Sequence, residues 1–293
     1  MVKKTIFGTI MLLLLASLTL VLWIPKSQAE PEIYSDDFST DTGMWEYLGS
    51  AYRDPANQYL VITEPVGNQR GVAFFNITFK ACFTANFSYK AGGGSGADGF
   101  VMFFYKRKYS SFQYGGTLAF NDIYPNGTYK IIPGYGIEFD NWRNIERPGL
   151  VEHADPSGNH IALIKDHAGN HLSYVNDPRT EDNVWHNVSI TVEESSIEVI
   201  VDEVSVFQWN GIIDRTFGSF GFCGATGSAN NWHIIDNFSI KFYSPSTSRI
   251  KATLDFDPNI LNLICRGRWI TAYVELPEGY DVADIDVSTI MLN

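Results

Sequence analysis

The stretch Gly136-Ile137-Glu138-Phe139-Asp140-Asn141-Trp142-Arg143-Asn144 decides how the rest of the sequence is interpreted. Glu138 and Asp140 are two positions apart, so a β-strand would place both carboxylates on the same face. Neighbouring carboxylates repel each other, and a face built in this way is typical of a cation site. Further donors follow in the Trp142 carbonyl, Asn144, Asp155 and His160. The oxygen donors favour Ca²⁺, and a histidine beside carboxylates favours Mn²⁺ or another transition metal such as zinc.

These spacings resemble the metal loop of the legume-type (L-type) lectins, which have a concanavalin A-like fold. The family reads Glu-x-Asp-x-aromatic-x-Asn, then Asp, then His five residues later, and 138–144 with Asp155 and His160 match that order. The interval from Asn144 to Asp155 is longer than in the plant proteins. Three further blocks occur in the family's order, namely Ala97-Asp98-Gly99-Phe100, Gly115-Gly116-Thr117-Leu118 and Gly221-Phe222-Cys223-Gly224-Ala225-Thr226-Gly227.

The resemblance implies an all-β protein with a concanavalin A-like jelly-roll sandwich of antiparallel sheets. We expect this lectin-like domain over residues 30–243, followed by a Ser/Thr/Pro linker at 244–250. Residues 251–293 change in style and look like a partial C-terminal β module of secreted archaeal proteins. Such a segment of about 40 residues rarely folds alone, so one or two strands are expected there.

The resemblance also implies a function and a site. Ca²⁺ would be bound by Asp140, the Trp142 carbonyl, Asn144 and Asp155, while Glu138 and His160 would belong to a second, manganese-type site. The implied carbohydrate-binding residues are Asp98, Gly115, Gly116, Trp142, Asn144, Ala225, Thr226 and Gly227. In the family the peptide bond before the binding aspartate is cis, which here is Ala97–Asp98. The protein would therefore be a calcium-dependent, non-catalytic lectin for glycans, with a neutral sugar as the expected ligand.

Composition and charge fit that class. The net charge of −12 and the pI near 4.9 argue against binding to nucleic acid or anionic membranes. The 20 Phe, 15 Tyr, 7 Trp and 25 Gly favour short strands and tight turns over helices. A homo-oligomer is compatible with the sequence, which does not specify one.

The first 29 residues are typical of an export signal. Lys3 and Lys4 precede an apolar run from Thr5 to Ile24, and Ser27-Gln28-Ala29 offers a cleavage site. Because the apolar run is long enough to span a bilayer, a retained N-terminal membrane anchor is the alternative. In either case the remainder is expected outside the cell, secreted or at the cell surface.

Hydrophobic alternation predicts the main strands. Asn76–Lys90 alternates with period two, and Phe100–Tyr105 is apolar on both phases, as in a central strand. His160–Lys165 is a further strand, and one continuous strand is predicted from Ile197 to Phe207. The segment after Val184 is expected to turn Val188, Ile190 and Val192 inward, and Trp232–Tyr243 closes the domain.

Other polar residues carry weaker signals. Asn-x-Ser/Thr sequons, which permit glycosylation, begin at Asn76, Asn86, Asn126, Asn187 and Asn237. The three cysteines, Cys82, Cys223 and Cys265, are predicted to be free or linked to a partner. No metal spacing relates the remaining histidines, which are predicted to lie in the surface or core: His153, His167, His171, His186 and His233.

Two alternative functions remain open at the level of sequence. A glycoside hydrolase of the same sandwich fold would need a second glutamate four or five positions after Glu138, where Trp142 and Arg143 stand. A calcium-stabilised structural or adhesive surface protein would keep the fold without binding sugar. The presence of Asp98, Asn144 and the double glycine favours the lectin.

Overall fold

The computed structural model describes residues 32–77, 82–145, 155–214 and 217–243, together with two strands at 253–257 and 271–275. The export signal, the linker, Cys265 and His153 lie outside the described residues. None of the helices in the described ranges has the length and apolarity needed to cross a membrane. The chain divides into two compact units, Met1–Pro245 and Ser246–Asn293.

The first large sheet has eight strands. They are β1 (Glu32–Asp36), β3 (Tyr52–Asp54), β4 (Tyr59–Thr63), β6 (Cys82–Gly92), β13 (His186–Val192), β14 (Ser196–Val201), β15 (Val204–Asn210) and β17 (Trp232–Tyr243). Their order is β15-β14-β13-β6-β17-β4-β3, and β1 also pairs with β17. Every pairing is antiparallel.

The second large sheet has seven antiparallel strands and carries the site described below. They are β2 (Trp45–Gly49), β5 (Arg70–Phe75), β7 (Gly99–Tyr105), β10 (Gly134–Asp140), β11 (His160–Lys165), β12 (His167–Asn176) and β16 (Ser219–Ala225). Their order is β12-β11-β10-β7-β16-β5-β2, which puts β7 in the centre. The predicted all-β antiparallel sandwich is confirmed.

Short elements complete the described chain. A small hairpin pairs β8 (Asp122–Ile123) with β9 (Tyr129–Lys130), and 3₁₀ helices occur at Gly115–Thr117 and Pro178–Glu181. In the C-terminal unit, β18 (Thr253–Asp257) pairs antiparallel with β19 (Thr271–Glu275), in agreement with the one or two strands predicted there.

The main core lies between the two large sheets and is mostly aromatic. Tyr89 of the first sheet packs on Phe139 of the second with 4.8 Å between ring centroids, and Phe87 packs on Phe222 at 5.0 Å. Such ring pairs contribute about 0.5–1.5 kcal/mol each beyond the burial of apolar area. The predicted inward face of β13, with Val188, Ile190 and Val192, is confirmed by this core.

A second core explains why β7 is apolar on both phases. The outer face of the seven-stranded sheet is covered by the segment between β7 and β10, so Val101, Phe103 and Tyr105 are as buried as the residues that alternate with them. The covering side chains are Phe112, Leu118, Ala119, Phe120 and Ile132. The prediction of a central strand buried on both sides is confirmed.

Two strand predictions are wrong in their extent. The predicted strand Ile197–Phe207 is a hairpin, because Asp202 and Glu203 turn between β14 and β15 with φ of 50° and 66°. Neither residue is the glycine or asparagine that usually marks such a turn. Asn76 was predicted to open a strand, but it follows the end of β5 at Phe75, and β5 itself was not predicted.

Candidate functional site

Strand register collects four separate parts of the chain at one end of the seven-stranded sheet. Gly99 at the start of β7 pairs with Asp140 at the end of β10 and with Ala225 at the end of β16. Asp140 in turn pairs with His160 at the start of β11. The loops that follow or precede these residues must therefore meet in one place.

Three carboxylates are buried at this end of the sheet. Asp140 accepts a hydrogen bond from the Trp142 N–H at 2.9 Å, and Asp155 accepts one from the Asn144 N–H at 2.6 Å. Glu138, the third, is 1% exposed. Each carboxylate keeps one buried oxygen without a hydrogen-bond partner, which is Oε1 of Glu138, Oδ2 of Asp140 and Oδ1 of Asp155. Unpaired buried carboxylate oxygens are costly, so the cluster calls for a cation.

Burial shifts the pKa values of the three carboxyl groups, Glu138, Asp140 and Asp155. Burial, followed by the charges of Asp155 and Glu138, raises the pKa of Asp140 well above its usual range. Burial and the charge of Glu138 also raise the pKa of Asp155. Burial acts in the same direction on Glu138, but hydrogen bonds from His160 and His171 outweigh it and lower the pKa of Glu138. The negative charges of the cluster therefore repel one another when no cation is bound.

His171 corrects the prediction that the remaining histidines have no relation to a metal. Its Nε2 lies 3.0 Å from Oε2 of Glu138, and Nε2 of His160 lies 3.2 Å from the same oxygen. These three side chains have the donor types and mutual distances of a metal site. The β11–β12 hairpin brings His171 next to Glu138. A sequence prediction that residues 167–176 form a strand paired with β11 would have identified this contact.

A cleft of about 630 Å³ opens beside the carboxylate cluster. Several predicted carbohydrate-binding residues line it together, namely Asp98, Gly115, Gly116, Trp142, Asn144 and Gly227. Sequence reasoning missed Asn68 and Ile123, which also line it. Gln113, Tyr114, Ser228 and Ala229 line it as well, and they adjoin the predicted glycine turn and the loop after Ala225. Ile123 carries no sequence signal, because the segment between β7 and β10 has no regular hydrophobic period from which its path could be predicted.

Asp98 lies on the inner wall of the cleft and is 4% exposed. The Ala97–Asp98 peptide bond is cis, as predicted. The Asp98 N–H donates to the Ala225 carbonyl at 3.2 Å, and its carbonyl accepts from the Asn141 N–H at 2.9 Å. Oδ2 has no hydrogen-bond partner. Burial raises the pKa of Asp98 to about 7, although a hydrogen bond from the Gly227 N–H acts in the opposite direction.

The walls on either side of Asp98 are a glycine turn and an aromatic ring. The Gly115 N–H donates to the Thr226 carbonyl at 3.2 Å, which fixes the turn against the loop after β16. Trp142 is 45% exposed and is one of the residues that line the cleft. Nδ2 of Asn144 is buried without a partner. The cleft thus offers an acceptor, an amide donor and an apolar face.

Two predicted carbohydrate-binding residues do not line the cleft. Ala225 is fully buried as the last residue of β16. Thr226 is also fully buried, and its hydroxyl donates to the Val66 carbonyl at 2.7 Å while accepting from the Gln69 N–H at 2.9 Å. Both residues hold the loop in place, and the part of it at the cleft begins at Gly227.

The other described histidines lie apart from the Glu138 cluster. His233 is fully buried, Nδ1 is 2.7 Å from the Thr63 hydroxyl, and burial lowers the pKa of His233 to about 3. His186 contacts Asp202 at 2.7 Å and Asp182 at 2.9 Å. Burial alone would lower the pKa of His186, but these two aspartates raise it. The Asn residue of each sequon is exposed: Asn76, Asn86, Asn126, Asn187 and Asn237.

Comparison with known proteins gives a fold and no close relative. No protein-family model matches the chain, and no curated protein sequence matches it. Solved structures match over most of the chain. The lectin from Bauhinia forficata in complex with GalNAc has a TM-score of 0.60 and 19% identity, over 72% of this chain and 97% of that chain. The basic winged bean lectin with Tn-antigen has a TM-score of 0.59 and 19% identity, over 72% and 98%.

One further solved structure also matches over most of the chain. The exoplasmic/lumenal domain of VIP36, in its Ca²⁺/Man3GlcNAc-bound form, has a TM-score of 0.51 and 15% identity, over 69% of this chain and 84% of that chain. The chain therefore has the fold of the legume-type lectins. The resemblance of residues 251–293 to a module of secreted archaeal proteins stays a prediction.

Proposed function

We propose that this protein is an extracellular, calcium-dependent and non-catalytic carbohydrate-binding protein. The observation that carries the proposal is the buried Asp98 carboxylate, whose unpartnered oxygen lies on the wall of a cleft beside the buried carboxylate cluster. A buried acceptor of this kind suits the hydroxyl groups of a sugar, because a charged acceptor makes strong hydrogen bonds where water is excluded.

The donor set fits a hard cation. Asp140 and Asp155 each have a buried oxygen without a partner, and hard oxygen donors are what Ca²⁺ prefers. The resemblance adds the Trp142 carbonyl and the side chain of Asn144 as further ligands. Calcium would supply positive charge to the cluster and hold the loop that carries Trp142 and Asn144.

The cleft residues then have distinct roles toward the sugar. Asp98 accepts hydrogen bonds from sugar hydroxyls, and the side-chain amide of Asn144 donates one. Because the Gly115 N–H already bonds to Thr226, the Gly116 N–H is the proposed backbone donor. The exposed ring of Trp142 stacks on the apolar face of the sugar. No lysine or arginine lines the described cleft, which favours a neutral sugar.

The environment of Glu138 argues against hydrolysis. A glycosidase carboxylate must reach the glycosidic bond, but Glu138 is 1% exposed and is engaged by His160 and His171. Extracellular location rests on the predicted export signal. The exposed sequon asparagines are proposed glycosylation sites for the same compartment.

A glycan array tests the proposal. The full chain would be screened with Ca²⁺ and with a chelator, beside Asp98→Asn and the control Asp37→Asn, an exposed aspartate outside the cleft. We expect binding that is lost with chelator and with Asp98→Asn and is kept with Asp37→Asn. No binding to any glycan, with Ca²⁺ still raising the melting temperature, would refute the lectin and leave a calcium-stabilised structural protein.

A further inference from the structure

The position of His171 is the feature that the proposed function does not use. It lies on β12, in register with Ile164 of β11, and a β-bulge separates Ile164 from Leu163 at this point. Leu172, the next residue, packs against the main core. His171 points to the opposite side of the sheet, the side that carries Glu138. Strands β10, β11 and β12 thus each contribute one donor to the same spot.

The distances fit a shared metal ion. The two imidazole Nε2 atoms lie 3.2 and 3.0 Å from Oε2 of Glu138, and the nearest donor atoms of all three residues lie within 4.8 Å of one another. Ligand atoms about 2.0–2.1 Å from a tetrahedral ion are about 3.3–3.4 Å apart. The two contacts could also be hydrogen bonds from the imidazoles to Oε2 of Glu138. That arrangement would leave the other carboxylate oxygen, Oε1, buried without a partner.

The chemistry of this donor set differs from that of the calcium loop. Two imidazoles beside carboxylates suit zinc, nickel or copper, whose affinity for nitrogen ligands exceeds that of manganese. The lectin-type motif supplies one histidine, His160, and His171 lies outside it. A second imidazole therefore shifts the preference of this centre away from Mn²⁺.

We propose that Glu138, His160 and His171 form a two-histidine metal centre that takes Zn²⁺ in preference to Mn²⁺, with His171 as a direct ligand. Oδ1 of Asp140 is 3.9 Å from Nδ1 of His160, so a further carboxylate lies beside this centre. This proposal depends on the proposed function in one respect, which is that Ca²⁺ binds in the neighbouring loop. The ion would link His171 of β12 to Glu138 of β10, two residues that are 33 positions apart in the sequence.

Metal binding by the full chain tests this centre without any sugar. Metal-free protein, saturated with Ca²⁺, would be titrated with Zn²⁺ and with Mn²⁺ by calorimetry, and Co²⁺ would be added as a visible-absorption probe. The variant is His171→Gln. The matched control is His167→Gln, which removes an imidazole of the same strand that stacks on Tyr129 at 4.2 Å.

We expect one Zn²⁺ per chain in the wild type, bound at least about tenfold more tightly than Mn²⁺. His171→Gln should weaken Zn²⁺ by about 100-fold or more and change the Co²⁺ spectrum, because loss of a direct ligand costs at least as much as loss of a supporting residue. His167→Gln should change neither. His171→Cys should restore Zn²⁺ binding, since thiolate is also a zinc ligand.

Two results would overturn the proposal. One is a wild type that binds Mn²⁺ as tightly as Zn²⁺, a measurement that needs no variant to fold. The other is His171→Gln with the Zn²⁺ affinity and Co²⁺ spectrum of the wild type. Neither depends on a glycan, so a protein that binds Zn²⁺ through His171 and no sugar would refute the lectin and keep this centre.

Discussion

Replacing Gly227 by alanine tests whether the space beside Asp98 is where the sugar binds. A methyl group on Gly227 would lie 3.2 Å from Oδ2 of Asp98 and 3.8 Å from its Oδ1. It would also lie 3.8 Å from the Cα of Gly115. The methyl group therefore fills the space through which a hydroxyl must reach the carboxylate.

The size of the effect follows from the hydrogen bonds at stake. A hydrogen bond to a charged group contributes about 1.5–3 kcal/mol. Losing one bond from the Asp98 carboxylate should weaken sugar binding by about 10- to 150-fold. The backbone of Gly227 is outside the left-handed region, so alanine adds no backbone strain, and the 3.2 Å contact requires only that the Asp98 side chain shifts by a few tenths of an ångström. The free energy of unfolding should change by no more than about 1 kcal/mol.

The assay is calorimetric titration with the glycan that binds best on the array, beside urea unfolding of the same samples. Gly158→Ala is the matched control, because its methyl group would meet nothing closer than Cβ of Arg143 at 4.0 Å. A folded Gly227→Ala protein with wild-type affinity would refute the assignment of this space to the sugar. Equal losses in both variants would point instead to a general effect on the loops.

Three further predictions concern single side chains. Thr63→Val should lower the free energy of unfolding by about 1–3 kcal/mol, because it leaves buried Nδ1 of His233 without its partner at 2.7 Å. Urea unfolding measures this difference. The control is Thr84→Val at a half-buried position, for which we expect a change within about 0.5 kcal/mol. The raised pKa of His186 means that its stabilisation is present below its usual value of 6.5 and is lost as pH rises through the folded pKa. The difference in unfolding free energy between wild type and His186→Gln should therefore shrink above about pH 6.5, and a difference that stays constant across that range would contradict the argument. Trp142→Ala should weaken sugar binding by about tenfold, because the ring that stacks on the sugar is lost. Ca²⁺ should still raise the melting temperature of this variant, because the main-chain carbonyl remains. A variant that binds no sugar and is not stabilised by Ca²⁺ would mean that the ring supports the loop itself.

Sequence pattern was sufficient where local periodicity and local spacing carry the information. Glu138 and Asp140 share a face because of the two-residue period of β10, and the central place of β7 follows from its apolar residues on both phases. Asp98 and the glycine turn could be placed at the same cleft only through the resemblance, since nothing in their own spacing relates them to Trp142.

The parts that sequence pattern did not supply depend on register. His171 contacts Glu138 only because of the β11–β12 pairing and its bulge, and a bulge shifts the alternation that sequence reasoning uses. The turn at Asp202 and Glu203 adopts positive φ without glycine, so its sequence shows no break. Burial of Thr226 depends on contacts with Val66 and Gln69, about 160 residues earlier in the chain.

Two hydrogen bonds between Asn144 and Asp155 have a consequence for how these residues are held. The Asn144 N–H donates to the Asp155 carboxylate at 2.6 Å, and the Asp155 N–H donates to the Asn144 carbonyl at 2.9 Å. These contacts clamp two residues that are 11 positions apart in the sequence. Both bonds are made within the protein itself, so the spacing of Asn144 and Asp155 is fixed before any ligand binds.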